Sequence, residues 1–202
     1  MYLIRAYALT QIAFGDFRYT QNVKRKSMPY QYKREPLNDD EVDRLINACD
    51  TFREKFVIWT FLDTGLRLSE FADLKKDNIQ WQERRLVIYG KGGPYGKKTK
   101  RRIIPMTERV RRLMEYHFAE NNNTKMVKRT VARIVKKVAD KAGISKPVSP
   151  HVLRHTFSVN CIKKGISTRA LQTLLGHDRL TTTEIYLNLS PEDAIREFLN
   201  KW

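Results

Sequence analysis

Between Ile79 and Ile104 the apolar pattern changes period, and this interval limits what the chain can fold into. The runs 86–89 (Leu-Val-Ile-Tyr) and 102–104 (Arg-Ile-Ile) are short and rich in β-branched residues, and the segment 90–100 between them holds four glycines and one proline. Such runs bounded by glycine and proline read as strands, which predicts a β-hairpin with a long basic tip. A short strand near 79–81 would complete a three-stranded antiparallel sheet. Elsewhere the spacing is three and four: Val42, Leu45 and Ile46; Val110, Leu113 and Met114; Val127, Val131, Ile134, Val135 and Val138. That is the helical period. The expected class is α+β, mostly helical, with one small antiparallel sheet.

Capping signals place the helices. Asn38 followed by Glu41 reads as a capping box opening the first. A second covers about 53–63 and stops at Thr64-Gly65, and a short one runs through 68–74. Ser149 as N-cap with Pro150 at the first helical position opens another, closed by Gly165. Short helices at about 167–175 and 181–187 precede a last one, 190–202, opened by Ser190 and Pro191. Residues 1–36, with the basic and aromatic run 24–34 and the breakers Pro29 and Pro36, read as an N-terminal arm or linker. The compact domain is expected at 37–202.

The charge is 39 Lys and Arg less 22 Asp and Glu, or +17, while 41% hydrophobic residues leave ample material for a core. So large an excess points to a polyanion, and nucleic acid fits better than an acidic membrane because no long basic amphipathic segment with an aromatic face stands out. Apolar stretches such as 56–62 fall far short of the roughly 20 residues a bilayer span needs. The first residues do not read as a secretory signal. Two cysteines, Cys49 and Cys161, make neither a disulfide framework nor a four-ligand zinc site, so a reducing cytoplasm is the expected compartment. Asp39, Asp40 and Asp43 suit the first turn of a helix and imply no metal.

Five short motifs carry chemistry: Thr64-Gly65-Leu66-Arg67 with Ser69-Glu70, Gly90-Lys91-Gly92, His151-Val152-Leu153-Arg154, Leu174-Leu175-Gly176-His177, and Tyr186 nine residues on. Singly each is common. In this order they strongly resemble the catalytic domain of the tyrosine recombinases, or phage integrases, over about 36–189. The family's Arg, Lys, His-x-x-Arg, His and Tyr fall on Arg67, Lys91, His151, Arg154, His177 and Tyr186.

The resemblance implies a DNA breaking-rejoining fold and a site-specific recombinase that works without metal, ATP or other cofactor. Tyr186 would attack phosphorus to form a 3′-phosphotyrosyl link, with Arg67 and Arg154 as planar forks on the phosphate oxygens. Lys91 would protonate the leaving 5′-oxygen, His151 accept the tyrosine proton, and His177 donate to a phosphate oxygen. The basic tip with Lys97, Lys98, Lys100, Arg101 and Arg102, and the face of helix 125–141 with Lys128, Arg129 and Arg133, are expected to contact the DNA backbone.

The implied partner is double-stranded DNA, bound by monomers that assemble as a homotetramer on two sites. Helix 190–202, with Ile195, Phe198, Leu199 and Trp202 on one stripe, either packs on its own domain or docks on a neighbouring protomer. Fewer than 40 residues precede the catalytic segment, so the family's usual core-binding domain is expected to be absent. The chain is then a minimal form, a fragment, or one whose clamp is completed by an accessory DNA-binding protein. Two alternatives stand beside recombination: relaxation of one duplex in the manner of a type IB topoisomerase, and a DNA-binding regulator that kept the fold.

Overall fold

A computed structural model describes residues 35–90 and 100–176, the side chain of Lys100 excepted. In chain order these form α1 (Asp39–Asn47), α2 (Phe52–Thr64), α3 (Leu68–Ala72), a 3-10 turn (Lys76–Asn78), β1 (Ile79–Gln80), β2 (Arg85–Gly90), β3 (Lys100–Pro105), α4 (Glu108–Glu120), α5 (Lys128–Lys141), α6 (Pro150–Lys163) and α7 (Thr168–Leu175). The architecture is mostly helical with one small antiparallel sheet, as the period change predicts.

The apolar run in α2 dictates the centre. Phe56, Val57, Ile58, Phe61 and Leu62 spread over about two-thirds of the helix circumference, and all are buried. A helix apolar over so wide an arc has to be enclosed. Accordingly α2 packs against α1, α4, α5 and α6. Each fully buried phenylalanine here contributes roughly 1.5–3 kcal/mol through the area it removes from water, and Phe56, Phe61 and Phe71 form one aromatic cluster with centroids 5.1–5.4 Å apart.

Capping fixes where the helices begin. The expected box at Asn38 is present: its Oδ1 accepts the Glu41 N–H and Glu41 Oε2 accepts the Asn38 N–H, both at 2.8 Å. A second box, Thr51 with Glu54, starts α2 at Phe52. Helix α3 stops at Ala72, two residues earlier than the spacing suggests, because the Leu74 N–H turns back to Phe71 O, tightening the last turn. The sheet order is β1-β2-β3, with Ile79 opposite Leu86, Leu86 opposite Ile104 and Ile88 opposite Arg102. Helix α7 packs on α6 and on β3, closing a small second core of Phe157, Cys161, Leu171 and Leu175.

Near the C-terminal end of α5, Lys137 Nζ donates to Glu54 Oε1 of α2 at 2.9 Å and Lys141 is paired with Asp50 in the loop before α2, and both side chains remain exposed. The first-turn acids of α1 are likewise engaged, Asp40 with Arg44 and Asp39 with Lys163. No helix among the described residues is long and apolar enough to cross a membrane. The arm 1–34 and the helices expected at 181–187 and 190–202 lie outside the described residues.

Candidate active site

Gly65 ends α2 in the left-handed region, φ +59°. A Cβ there would stand 2.4 Å from the Phe157 ring, so the position requires glycine twice, for its backbone angle and for α6 to approach. The turn delivers Arg67 to the N-terminal end of α3. There Glu70 Oε2 accepts the Arg67 N–H at 2.7 Å, while Oε1 accepts from the Arg67 guanidinium at 2.8 Å. Arg67 keeps 39% of its side chain exposed and Glu70 only 5%. The guanidinium therefore faces solvent from a buried anchor.

Helix α6 opens as expected, Ser149 accepting the Val152 N–H and Pro150 following. This leaves His151 exposed in the first turn and Arg154 one turn further, buried against α2. His155 is buried beside them. Burial, reinforced by the charge of His151, pushes its imidazole down to about 4, so it is neutral at pH 7.

The last turn of α7 gathers the arginines. A helix C-terminus carries carbonyls without intrahelical donors and the negative end of the dipole, which favours cations. Arg154 donates to Leu175 O at 2.8 Å and to Gly65 O at 2.5 Å. Arg67 donates to Gly176 O at 3.0 Å. Two arginines from distant parts of the chain thus meet at carbonyls of consecutive residues. A carbonyl orients a guanidinium without cancelling its charge, and planar forks so held suit a phosphate group.

A third arginine is there that the sequence reading placed elsewhere. Arg102, grouped with the basic hairpin tip as a backbone contact, is instead 7% exposed. Its Nη2 donates to Glu70 Oε2 at 2.5 Å and its Nη1 to Leu174 O at 3.0 Å and to Leu175 O. Burial draws its guanidinium down to about 10, against the attraction of Glu70 and with Arg67 adding to the fall, and it stays charged at neutral pH. Strand alternation carries the signal that the motif reading passed over. Ile104 is in the core, so Arg102 two residues earlier faces the same way.

Beside Arg67 lies a groove of about 620 Å³, walled by Ser69, Asp73, Lys75, Tyr89 and Lys128. Of the expected DNA contacts, Lys128, Arg129, Arg133 and Arg101 are exposed. Lys128 shares the groove with Arg67, whereas Arg133 opens onto a separate depression with Arg53 and Thr130. Lys91, Lys97, Lys98, His177 and Tyr186 lie outside the described residues, and Lys100 contributes its backbone to β3. His117 stacks on Phe56 at 4.4 Å and its Nε2 lies 3.0 Å from Asn123 O, a packing role. Among the described residues no group of three His, Cys, Asp or Glu could hold a metal ion.

Comparison with known proteins identifies the family and the fold. The chain is 32% identical to the tyrosine recombinase XerA of Pyrococcus horikoshii, over 87% of its own length and 62% of the relative's. It is 28% identical to the tyrosine recombinase XerD of Listeria innocua, over 80% and 61%. The chain therefore spans about three-fifths of the relatives it matches. Among solved structures, a XerA recombinase crystal structure superposes with TM-score 0.66 at 30% identity, covering 82% of this chain and 64% of that one. The Tn1549 transposon integrase, in complex with transposon right end DNA, shares the fold with TM-score 0.64 at 22% identity, covering 82% and 65%. Residues 35–193 match the phage integrase family. With the fold and that match in agreement, the chain belongs to the phage integrase family.

Proposed function

We propose that the chain is a tyrosine site-specific recombinase that cuts and rejoins double-stranded DNA. The observation that carries the reading is the convergence of Arg67 and Arg154 on the end of α7, one residue before His177 in the chain. Negative charge builds on the non-bridging oxygens as a phosphodiester is cut, and two fixed guanidinium groups stabilise it where it appears. Tyr186 Oη attacks phosphorus as the bond to the 5′-oxygen breaks. His151 takes the phenol proton and Lys91 supplies one to the leaving 5′-oxygen. The phosphotyrosyl ester keeps the bond energy, so a 5′-hydroxyl of a partner strand reverses the step without ATP or a metal.

Structural relatives bound to DNA support the choice of substrate. One is the XerH site-specific recombinase on its difH substrate, whose fold matches with TM-score 0.67. Lys97, Lys98, Lys100, Arg101, Lys128, Arg129 and Arg133 would grip phosphates around the cut, and four protomers would act on two sites. A protein that completes the clamp around the duplex is a further expected partner, and the chain would work in the cytoplasm, where its DNA target lies.

The test is covalent trapping on nicked duplexes tiled across the DNA flanking the gene, with Tyr186→Phe as control. An SDS-resistant adduct at one site, absent in the control, is the expected result. Tight specific binding with no adduct would turn the reading toward a regulator. An adduct that only relaxes supercoiled plasmid, with no joining of two sites, would turn it toward topoisomerase-like activity.

A further inference from the structure

Arg102 has no part in the chemistry outlined above, yet it bonds to both elements that hold the proposed phosphate ligands Arg67 and Arg154. It leaves β3 toward the interior, opposite Ile88 and two residues from the fully buried Ile104. A cation in that position is costly unless its donors are used. Nη1 and Nη2 are used on two elements at once: Glu70 of α3, and the carbonyls of Leu174 and Leu175 in the last turn of α7, while Nε is buried without a partner among the described residues. Each target also holds a proposed phosphate ligand. Glu70 carries Arg67 by its guanidinium and its backbone N–H, and Leu175 O receives Arg154. The fit is close, since a Cβ on Gly176 would stand 2.9 Å from Arg102 Cδ.

We infer that Arg102 is a positioning residue for strand cleavage, locking α3 and the end of α7 to β3 so that Arg67 and Arg154 stand in register on one phosphate. The inference rests on the recombinase reading. Lysine cannot replace it, because a single ammonium reaches Glu70 or α7 but has no planar fork to hold both. A displacement of about 1 Å at a reacting group costs about 100-fold in rate.

The experiment compares wild type, Arg102→Lys and Arg67→Ala in single-turnover cleavage of the trapped duplex. Each is run on the ordinary phosphodiester and on a methylphosphonate at the scissile position, where a methyl group replaces one charged oxygen. Arg102→Lys is expected to bind DNA within about threefold of wild type and to cleave the phosphodiester about 100-fold more slowly. On the methylphosphonate, which makes little demand on the arginines, its deficit should shrink as that of Arg67→Ala does. A rate within threefold of wild type on the phosphodiester overturns the inference, and so does an equal deficit on both substrates, which a purely structural loss would give. If Arg102→Lys melts below the assay temperature, Arg102→Gln, whose planar amide can still donate to one of the partners, is put through the same comparison. A wild-type chain inert on every duplex fells the recombinase reading, and this inference with it. An active wild type tests Arg102 alone.

Discussion

Gly65 and Arg154 work as a pair. The glycine carbonyl receives the Arg154 guanidinium while its missing side chain makes room for the Phe157 ring. Gly65→Ala has to carry both a left-handed backbone and a steric overlap, and should lower stability by about 2–4 kcal/mol in urea unfolding. Arg154→Lys removes the fork but keeps the charge. It should slow adduct formation about 100- to 1,000-fold, the usual loss of one donor to a developing oxyanion. His155 gives a pH signature. Its folded imidazole titrates near 4 and an unfolded one near 6.5, so the unfolded chain binds the extra proton in between. The stabilisation is complete above about 6.5 and is lost as pH falls toward 4, and His155→Gln should flatten that part of a stability-versus-pH curve measured by thermal melts.

Glu54 shows the same logic for an element. Its side chain caps α2 through the N–H groups of Asp50 and Thr51 and meets Lys137 of α5, so one carboxylate joins a helix start to a neighbouring helix. The bond from Lys137 pulls its carboxyl down to about 2, against the opposing effect of burial and aided by the two backbone N–H groups. That contribution is full above the ordinary carboxylate range near 4.5 and is lost as pH falls from there toward 2. Glu54→Gln should cost about 2 kcal/mol at neutral pH and remove that acid limb, read by denaturant titration at several pH values. The elements themselves were largely legible in the sequence. The Asn38 box, the Thr64-Gly65 stop and the Ser149-Pro150 start act on their immediate neighbours, and local signals survive without tertiary knowledge. Arg67 and Arg154 were legible for the same reason, each set in a short recognisable string. What brings them together was not, because bonds to the carbonyls of Leu175 and Gly176 use backbone that every residue possesses. Arg102 was misplaced because a run of basic residues draws the eye to charge, when the alternation of β3 with Ile104 decides its side.

At the scale of the whole molecule, the 39 Lys and Arg divide into working parts. Some are paired within the chain: the buried Arg102 with Glu70, the exposed Lys137 and Lys141 with acids at the start of α2, and Arg109 with Asp63 at 2.5 Å and over the Trp59 ring. Lys128 lines the groove beside Arg67, as Lys75 does, and on the recombinase reading it would meet a phosphate. Lys128→Ala should weaken DNA binding alike for all sequences and reduce the slope of log affinity against log salt by about 0.9. Lys137→Ala should lower stability and leave that slope unchanged, and a filter-binding titration at four salt concentrations separates the two.

The end of α7 has a further consequence for how such a chain tolerates change over time. Its three arginines hold main-chain oxygens at residues 174, 175 and 176. Replacing the side chain at 174 leaves those oxygens in place, so spelling there is free to drift within what packing allows. Inserting or deleting a single residue in α7 is another matter, because it swings every later carbonyl about 100° around the helix axis and 1.5 Å along it. Helix α7 is in this sense a ruler, held to its length more strictly than to its letters.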